Sequence, residues 1–363
     1  MKFVSRDDLR IGMRLARPIF SKKGVLLFDR DSQISSAAIE SIKNFGLLGV
    51  YILEPAEPLP PLSEEDREFE RFQTVMVAMI NEELDKIILS KRTKNITNIA
   101  SQIISKFGRL DGKINFYQNL RSKEDYVARH SLNVAILCAL ISHDMNISLD
   151  DQNKLIQAAL IHDIGRIRSK NEAIYGAEDE NNSRNMMFME TINAFDLIED
   201  AFPSDGTALK RICNQAIHAQ MDMESGTIVA NRKMVTGAKI LQVANAFDEM
   251  TAMNLTGESS SEVKAIKVFL DHPEFFDEEV VSALIRTVNL LFPGVSIELN
   301  TGEKALVLSE NAFNVLKPTV LCFKDNSVLD LSLSVNSDIY VMDVMKTLDN
   351  RYIMSDINNI QGE

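Results

Sequence analysis

Ala158-Ala159-Leu160-Ile161-His162-Asp163-Ile164-Gly165-Arg166 is the stretch on which the reading of this chain turns. A helical run rich in Ala and Leu meets adjacent His and Asp, then a glycine. An imidazole and a carboxylate at the end of a buried apolar helix are costly unless they are satisfied. A shared divalent cation satisfies both, and so does a helix-terminal His–Asp hydrogen bond with no ion. Upstream, His130 lies in Tyr126-Val127-Ala128-Arg129-His130-Ser131-Leu132-Asn133-Val134-Ala135. Val127, His130 and Val134 share one face of a helix by i, i+3, i+4 spacing. A histidine on such a face is more often a packed core residue than a ligand. His130 rises above that only in combination with His162 and Asp163.

The chain of 363 residues is long enough for two or three domains, and 45% hydrophobic with 25% charged residues describes a globular protein. Lys plus Arg is 39 against 52 Asp plus Glu, a net charge of −13, which argues against duplex nucleic acid as a partner. Cys138, Cys213 and Cys322 lie far apart, so they form neither a disulfide framework nor a Cys-x-x-Cys knuckle, and a reducing compartment fits. Residues 1–10 are polar without an apolar signal core, and no run approaches the ~18 apolar residues of a spanning helix. The expectation is a cytoplasmic protein without a membrane span.

Residues 1–54 read as a small α+β module. A turn at Ser21–Gly24 joins Met13–Phe20 to the short run Val25–Phe28, which predicts a buried hairpin. Ser35–Phe45 has helical spacing at Ala38, Ile39, Ile42 and Phe45, with Gly46 as its stop, and Val50–Leu53 is a strand. Residues 55–65 are a Pro-rich linker that leads into a near capping box, Ser63 with Asp66. Helical periodicity holds over 66–292. Alternation over 293–340 predicts a β module of four strands, and 341–363 is a polar tail. Glu178–Ser183 reads as a polar loop, and Met186, Met187 and Met189 as soft core packing. The fold class is mostly α, with a helical core between a small N-terminal α+β module and a small C-terminal β module.

With Arg129-His130-Ser131 followed by Ala159-Leu160-Ile161-His162-Asp163-Ile164-Gly165-Arg166, the chain resembles the HD-GYP family. That family is the cyclic di-GMP phosphodiesterase branch of the HD metal-dependent phosphohydrolases. Met13–Leu53 is similar to a module often found before these domains. Gly237–Thr251 resembles the segment that carries the family's final metal-binding Asp, and His272–Leu308 its C-terminal end. The resemblance runs over roughly residues 5–335. It implies an HD-type helical bundle around two or three divalent ions, Fe or Mn, and hydrolysis of a phosphodiester with the metals polarising its oxygens. His130, His162 and Asp163 match family metal ligands, and Asp163 and Arg166 are the implied catalytic residues. Arg166 stands where the family usually has a phosphate-contacting lysine.

The departures are spread over three elements. Where the family has a bridging His before Pro, this chain offers Glu190 as a replacement ligand. In place of paired histidines, Glu and Asp-Gly-x-Gly-Tyr-Pro, it reads Ile217-His218-Ala219-Gln220-Met221-Asp222 with no Gly-Tyr-Pro. His218 keeps one ligand position, and the last metal-binding Asp aligns with Asn245. His143 reads as a solvated helix end and His272 as structural. Two functions follow. One is a relative with a depleted centre of one ion or none, acting on a cyclic dinucleotide weakly or binding it as a scaffold, with a signalling protein as partner. The other is an active metal-dependent phosphodiesterase. The N-terminal module and long helices suit a homodimer.

Overall fold

The computed structural model describes residues 2–45, 49–53, 64–114, 116, 126–168, 180–229, 233–252, 260–311 and 313–345. In chain order the elements begin with β1 (Lys2–Ser5), β2 (Arg14–Leu15), β3 (Ile19–Phe20), β4 (Leu26–Phe28), α1 (Ser36–Asn44) and β5 (Gly49–Leu53). The helices α2 (Glu64–Ser90), α3 (Ile96–Phe107), α4 (Tyr126–Asp144), α5 (Leu149–Ile161), α6 (Ile164–Arg168), α7 (Glu180–Ala194) and α8 (Asp196–Ala201) follow. Then come α9 (Gly206–Ser225), α10 (Thr236–Thr251), α11 (Glu262–Asp271) and α12 (Glu278–Thr287). Five strands close the described chain: β6 (Ser296–Leu299), β7 (Lys304–Ser309), β8 (Thr319–Cys322), β9 (Val328–Asp330) and β10 (Val341–Val344). No helix among the described residues is long and apolar enough to cross a membrane.

The chain divides into two compact units with interleaved segments. One holds Met1–Ile103, Arg121–Ile136 and Asn153–Asn214, and the other Ile104–Leu120, Leu137–Gln152 and Gln215–Glu363.

In the first unit the N-terminal module is a sheet ordered β1-β5-β2 beside a β3-β4 hairpin. Leu15, Ile34, Ala38, Ile42, Val50 and Ile52 fill its core. Ser35 caps α1 through its Oγ, which accepts from the Ala38 N–H at 3.1 Å. The hairpin is shorter than the sequence suggests, because β2 pairs with β5. Val25 and Leu26, expected to be buried, are 61% and 40% exposed. A two-stranded ribbon has one face to cover, and Ile19 takes the covered position. Arg17 pairs with Glu70 at 3.6 Å and Arg67 with Asp29 at 3.3 Å, which ties the module to α2. Ser63 and Gly46 lie outside the described residues.

Where α2 hands over to α3, Glu83 is buried, with 1% of its side chain exposed. Its Oε2 accepts from Thr93 Oγ1 at 2.9 Å, Lys94 N at 2.9 Å and Asn95 N at 3.0 Å, and its Oε1 from Lys86 Nζ at 2.7 Å. A carboxylate thus satisfies donors that the start of α3 leaves open. Burial pushes the Glu83 carboxyl up, but Lys86, the Asn95 and Lys94 amides and Thr93 outweigh it and hold it at about 2.

The stretch read as a polar loop over 178–183 is helical from Glu180 onward. Its sequence is polar on every side, so periodicity gives no sign of a helix there. The helix is held further along, where Phe188, Thr191 and Ala194 are buried. Met186 and Met189, expected in the core, are 53% and 52% exposed.

In the second unit α10, α11 and α12 pack together through Phe247, Phe269 and Phe276, with the last two ring centroids 4.4 Å apart. The β module is one antiparallel sheet ordered β10-β6-β7-β8-β9. Its inner face carries Ile297, Leu299, Ala305, Val307, Val320, Cys322 and Val341. The fifth strand, β10, lies in the segment read as polar tail. Its Val341 alone is fully buried, and Lys264 of α11 pairs with Asp343 at 2.6 Å. One buried residue in four gives too weak an alternation to read from sequence.

Candidate metal centre

Each side chain of the centre comes from a segment of the first unit, on a helix or in the turn that follows one. The first ten residues of α4 carry His130 on a face with Val127 and Val134, all three buried. The apolar end of α5, Leu155–Ile161, is buried throughout and breaks off at His162-Asp163. The chain then turns into α6, with the Arg166 N–H donating to Asp163 O at 2.9 Å. Gly165 makes this turn workable. A Cβ there would sit 2.4 Å from Thr191 Cα, 2.7 Å from Glu190 O and 2.8 Å from Thr191 N. The contact is backbone on backbone, so α6 and α7 meet only because residue 165 has no side chain.

His130, His162 and Asp163 are all buried, at 0%, 8% and 4% exposure. They form the group of potential ligands found among the described residues, with one ligand atom from each within 4.8 Å of the others. His130 Nε2 stands 3.1 Å from His162 Nε2 and 3.4 Å from Asp163 Oδ2, and His162 Nε2 stands 3.9 Å from Asp163 Oδ1. Ligand atoms held about 2.0–2.2 Å from one ion lie about 3.0–3.5 Å apart at tetrahedral or octahedral angles, so both contacts of His130 Nε2 fall in that span, while the 3.9 Å between His162 Nε2 and Asp163 Oδ1 is wider. His162 Nδ1 lies 2.7 Å from Ala159 O. A proton on Nδ1 donates to that carbonyl and leaves the Nε2 lone pair facing the cluster, the arrangement that orients metal-binding histidines. Two imidazoles and a carboxylate, dry and convergent, can hold a divalent cation.

Arg166 joins the cluster from one turn on. Its Nε is 3.1 Å from Asp163 Oδ2, and its guanidinium lies 5.9 Å from the Tyr126 ring centroid. Glu190 sits on α7 with its backbone against Gly165. Its Oε2 is buried with no hydrogen-bond partner among the described residues, yet its carboxylate falls outside the three-residue ligand group. His218 and Asn245 belong to the second unit, on α9 and α10. There Asn245 Nδ2 donates to Gln220 Oε1 at 2.7 Å, and Gln220 Nε2 donates to Glu249 Oε2 at 2.6 Å. His143 is partly exposed beside Asp111, and His272 is exposed and bonded to Glu274 at 2.9 Å.

Gly165 is the residue whose role sequence reasoning missed. In the sequence it is only the glycine that follows the His-Asp pair, and its approach to Thr191 shows that it sets the packing behind the centre.

Residues 127–250 match the HD domain family. Among solved structures, Bd1817, a HDG"Y"P protein from Bdellovibrio bacteriovorus, aligns over 78% of this chain and 97% of its own, at 13% identity and a TM-score of 0.42. No curated protein matches the chain.

Proposed function

We propose that this HD-domain chain is a member of the HD-GYP branch with a single-ion centre, which binds a cyclic dinucleotide and turns it over slowly or not at all. The observation that carries this reading is the dry cluster of His130, His162 and Asp163, in which His130 Nε2 stands 3.1 Å from His162 Nε2 and 3.4 Å from Asp163 Oδ2. Positions from which the family would complete a larger centre hold Ile217, Ala219 and Asn245. An amide at 245 brings no negative charge, and its NH2 group is engaged by Gln220.

A divalent ion, Fe or Mn by the family's usage, would supply Lewis acidity toward a phosphoryl oxygen. Around it the chain's own groups do the rest. Ala159 O orients His162, and Arg166 places a fixed positive charge beside Asp163. That charge both offsets the carboxylate and offers a planar fork to a phosphate. With a net charge of −13, the chain depends on such local positive charge to hold an anionic ligand.

The second reading, an active phosphodiesterase, is favoured by one observation. Glu190 Oε2 is buried and has no hydrogen-bond partner among the described residues, on the helix that packs against Gly165, so a change of its rotamer could add a carboxylate ligand.

The test is metal content, ligand binding and turnover on the same preparation. The single-ion reading expects one Fe or Mn per chain, lost in His162→Ala and Asp163→Ala. It also expects calorimetric binding of cyclic di-GMP, with little hydrolysis of it or of bis-p-nitrophenyl phosphate. Two ions per chain, with turnover abolished by Asp163→Ala and by Glu190→Gln, would establish the second reading instead. A protein that takes up no metal refutes both.

A further inference from the structure

Tyr126 opens α4 and His130 follows it by one turn, so the two side chains meet on one face of the helix. Their rings stack, with centroids 6.0 Å apart and planes 24° from parallel. That separation lies within the span over which aromatic rings attract. From α6, Arg166 brings its guanidinium carbon to 5.9 Å from the centroid of the same Tyr126 ring, within reach of a cation–π contact. His130 Nε2 and Arg166 Nε both face Asp163 Oδ2, at 3.4 and 3.1 Å. Tyr126, His130, Asp163 and Arg166 therefore close a ring of contacts within the first unit. His130, Asp163 and Arg166 are the groups that an ion and a phosphate would engage. Tyr126 is the member that supports two of them at once. It is half-buried, and an aromatic side chain with two torsions makes a stiff support.

We propose that Tyr126 is a positioning residue of the candidate metal centre, whose ring fixes the planes of the His130 imidazole and the Arg166 guanidinium together. This role rests on the single-ion reading for His130 only; the hold on Arg166 exists with or without an ion. His162 is oriented through Nδ1, which lies 2.7 Å from Ala159 O. For His130 the stacked ring sets the plane, and the plane decides where the Nε2 lone pair points. The Nε contact with Asp163 holds one edge of the guanidinium, and the face of Tyr126 sets its tilt about that edge. One side chain thus links a ligand of the ion to the positive charge offered to a phosphate.

The full-length protein, labelled with ¹⁵N, would be compared as wild type, Tyr126→Phe, Tyr126→Leu and Leu132→Ala. Leu132 is 1% exposed on α4, two residues from His130 and so on another side of the helix, and its truncation reports lost stability alone. In metal-free protein, the Arg166 Nε–H should exchange with solvent about two- to fivefold faster in Tyr126→Leu, the worth of one cation–π contact. Mn affinity, read from the free Mn signal in electron paramagnetic resonance, should fall about tenfold in Tyr126→Leu. Tyr126→Phe keeps the aromatic face and should stay within about twofold of wild type in both measurements. Tyr126→Met, which fills the space without a ring, replaces Tyr126→Leu if that variant does not fold. A wild type that binds no Mn refutes the single-ion reading, and the exchange rates then decide the role of Tyr126 by themselves. Unchanged exchange in Tyr126→Leu, or unchanged Mn affinity in that variant where the wild type binds Mn, overturns the role and leaves the single-ion reading intact. Losses that phenylalanine does not restore, or equal losses in Leu132→Ala, overturn it as well.

Discussion

Glu83→Gln tests whether one buried carboxylate holds the α2–α3 junction. Glu83 Oε2 takes three donors, and Oε1 takes Lys86 Nζ and Asn95 Nδ2. Glutamine is nearly the same shape, but its NH2 must replace one of those oxygens and then faces donors. The negative charge opposite Lys86 and the start of α3 is also lost. The gap between the usual 4.5 and about 2 corresponds to about 3 kcal/mol. Because the folded value lies below the unfolded one, this stability is fully present above about pH 4.5 and is lost as pH falls toward about 2. Urea unfolding of wild type and variant, repeated from neutral pH down to pH about 3, reads the difference. Hydrogen exchange at the Lys94 and Asn95 amides reports the same junction locally. The variant should be less stable by about 2–4 kcal/mol at neutral pH, with the difference narrowing through the acid range. Equal midpoints at neutral pH, or a difference that stays constant down to pH about 3, would refute the reasoning.

Gly165→Ala would place a methyl 2.4 Å from Thr191 Cα, so α6 and α7 must separate. Overpacking of this kind costs about 1–3 kcal/mol, and metal affinity should fall at least about tenfold with every ligand still in place. An unchanged melting temperature and unchanged Mn affinity would show that the close approach is unimportant. The three thiols should resist Ellman's reagent in the native protein and react fully in denaturant, because all three are buried. Burial pushes the Cys138 thiol far above its ordinary range, and burial followed by the charge of Asp163 does the same to Cys213. Rapid labelling of folded protein would contradict that placement.

The candidate metal ligands are legible in the sequence because their chemistry is local. His162 and Asp163 are adjacent, and the apolar run of α5 leads straight into them. His130 needs only a helical face to be placed with them. Regular periodicity likewise marks the long helical region and the inward face of the β module. The features that sequence reading misses have in common that their cause lies far along the chain. The helix from Glu180 and the strand β10 have little pattern of their own and exist through what they pack against. Residue 165 must be glycine because of residue 191, and Glu83 is ionised and buried because of residues 93–95.

The sequence by itself therefore determined that two histidines and an aspartate would share a buried helical site, and a family resemblance added the expectation that the positions around them depart from a full binuclear set. It could do so because residue type and helical spacing decide which groups point inward. Only the tertiary structure decided that His130 Nε2 comes within 3.1 Å of His162 Nε2 and 3.4 Å of Asp163 Oδ2, that Arg166 leans on Asp163, and that Glu190 stays outside the group. Those outcomes depend on how closely α4, α5, α6 and α7 approach one another. That approach is set by backbone contacts such as Gly165 on Thr191, which leave no periodic trace in a sequence.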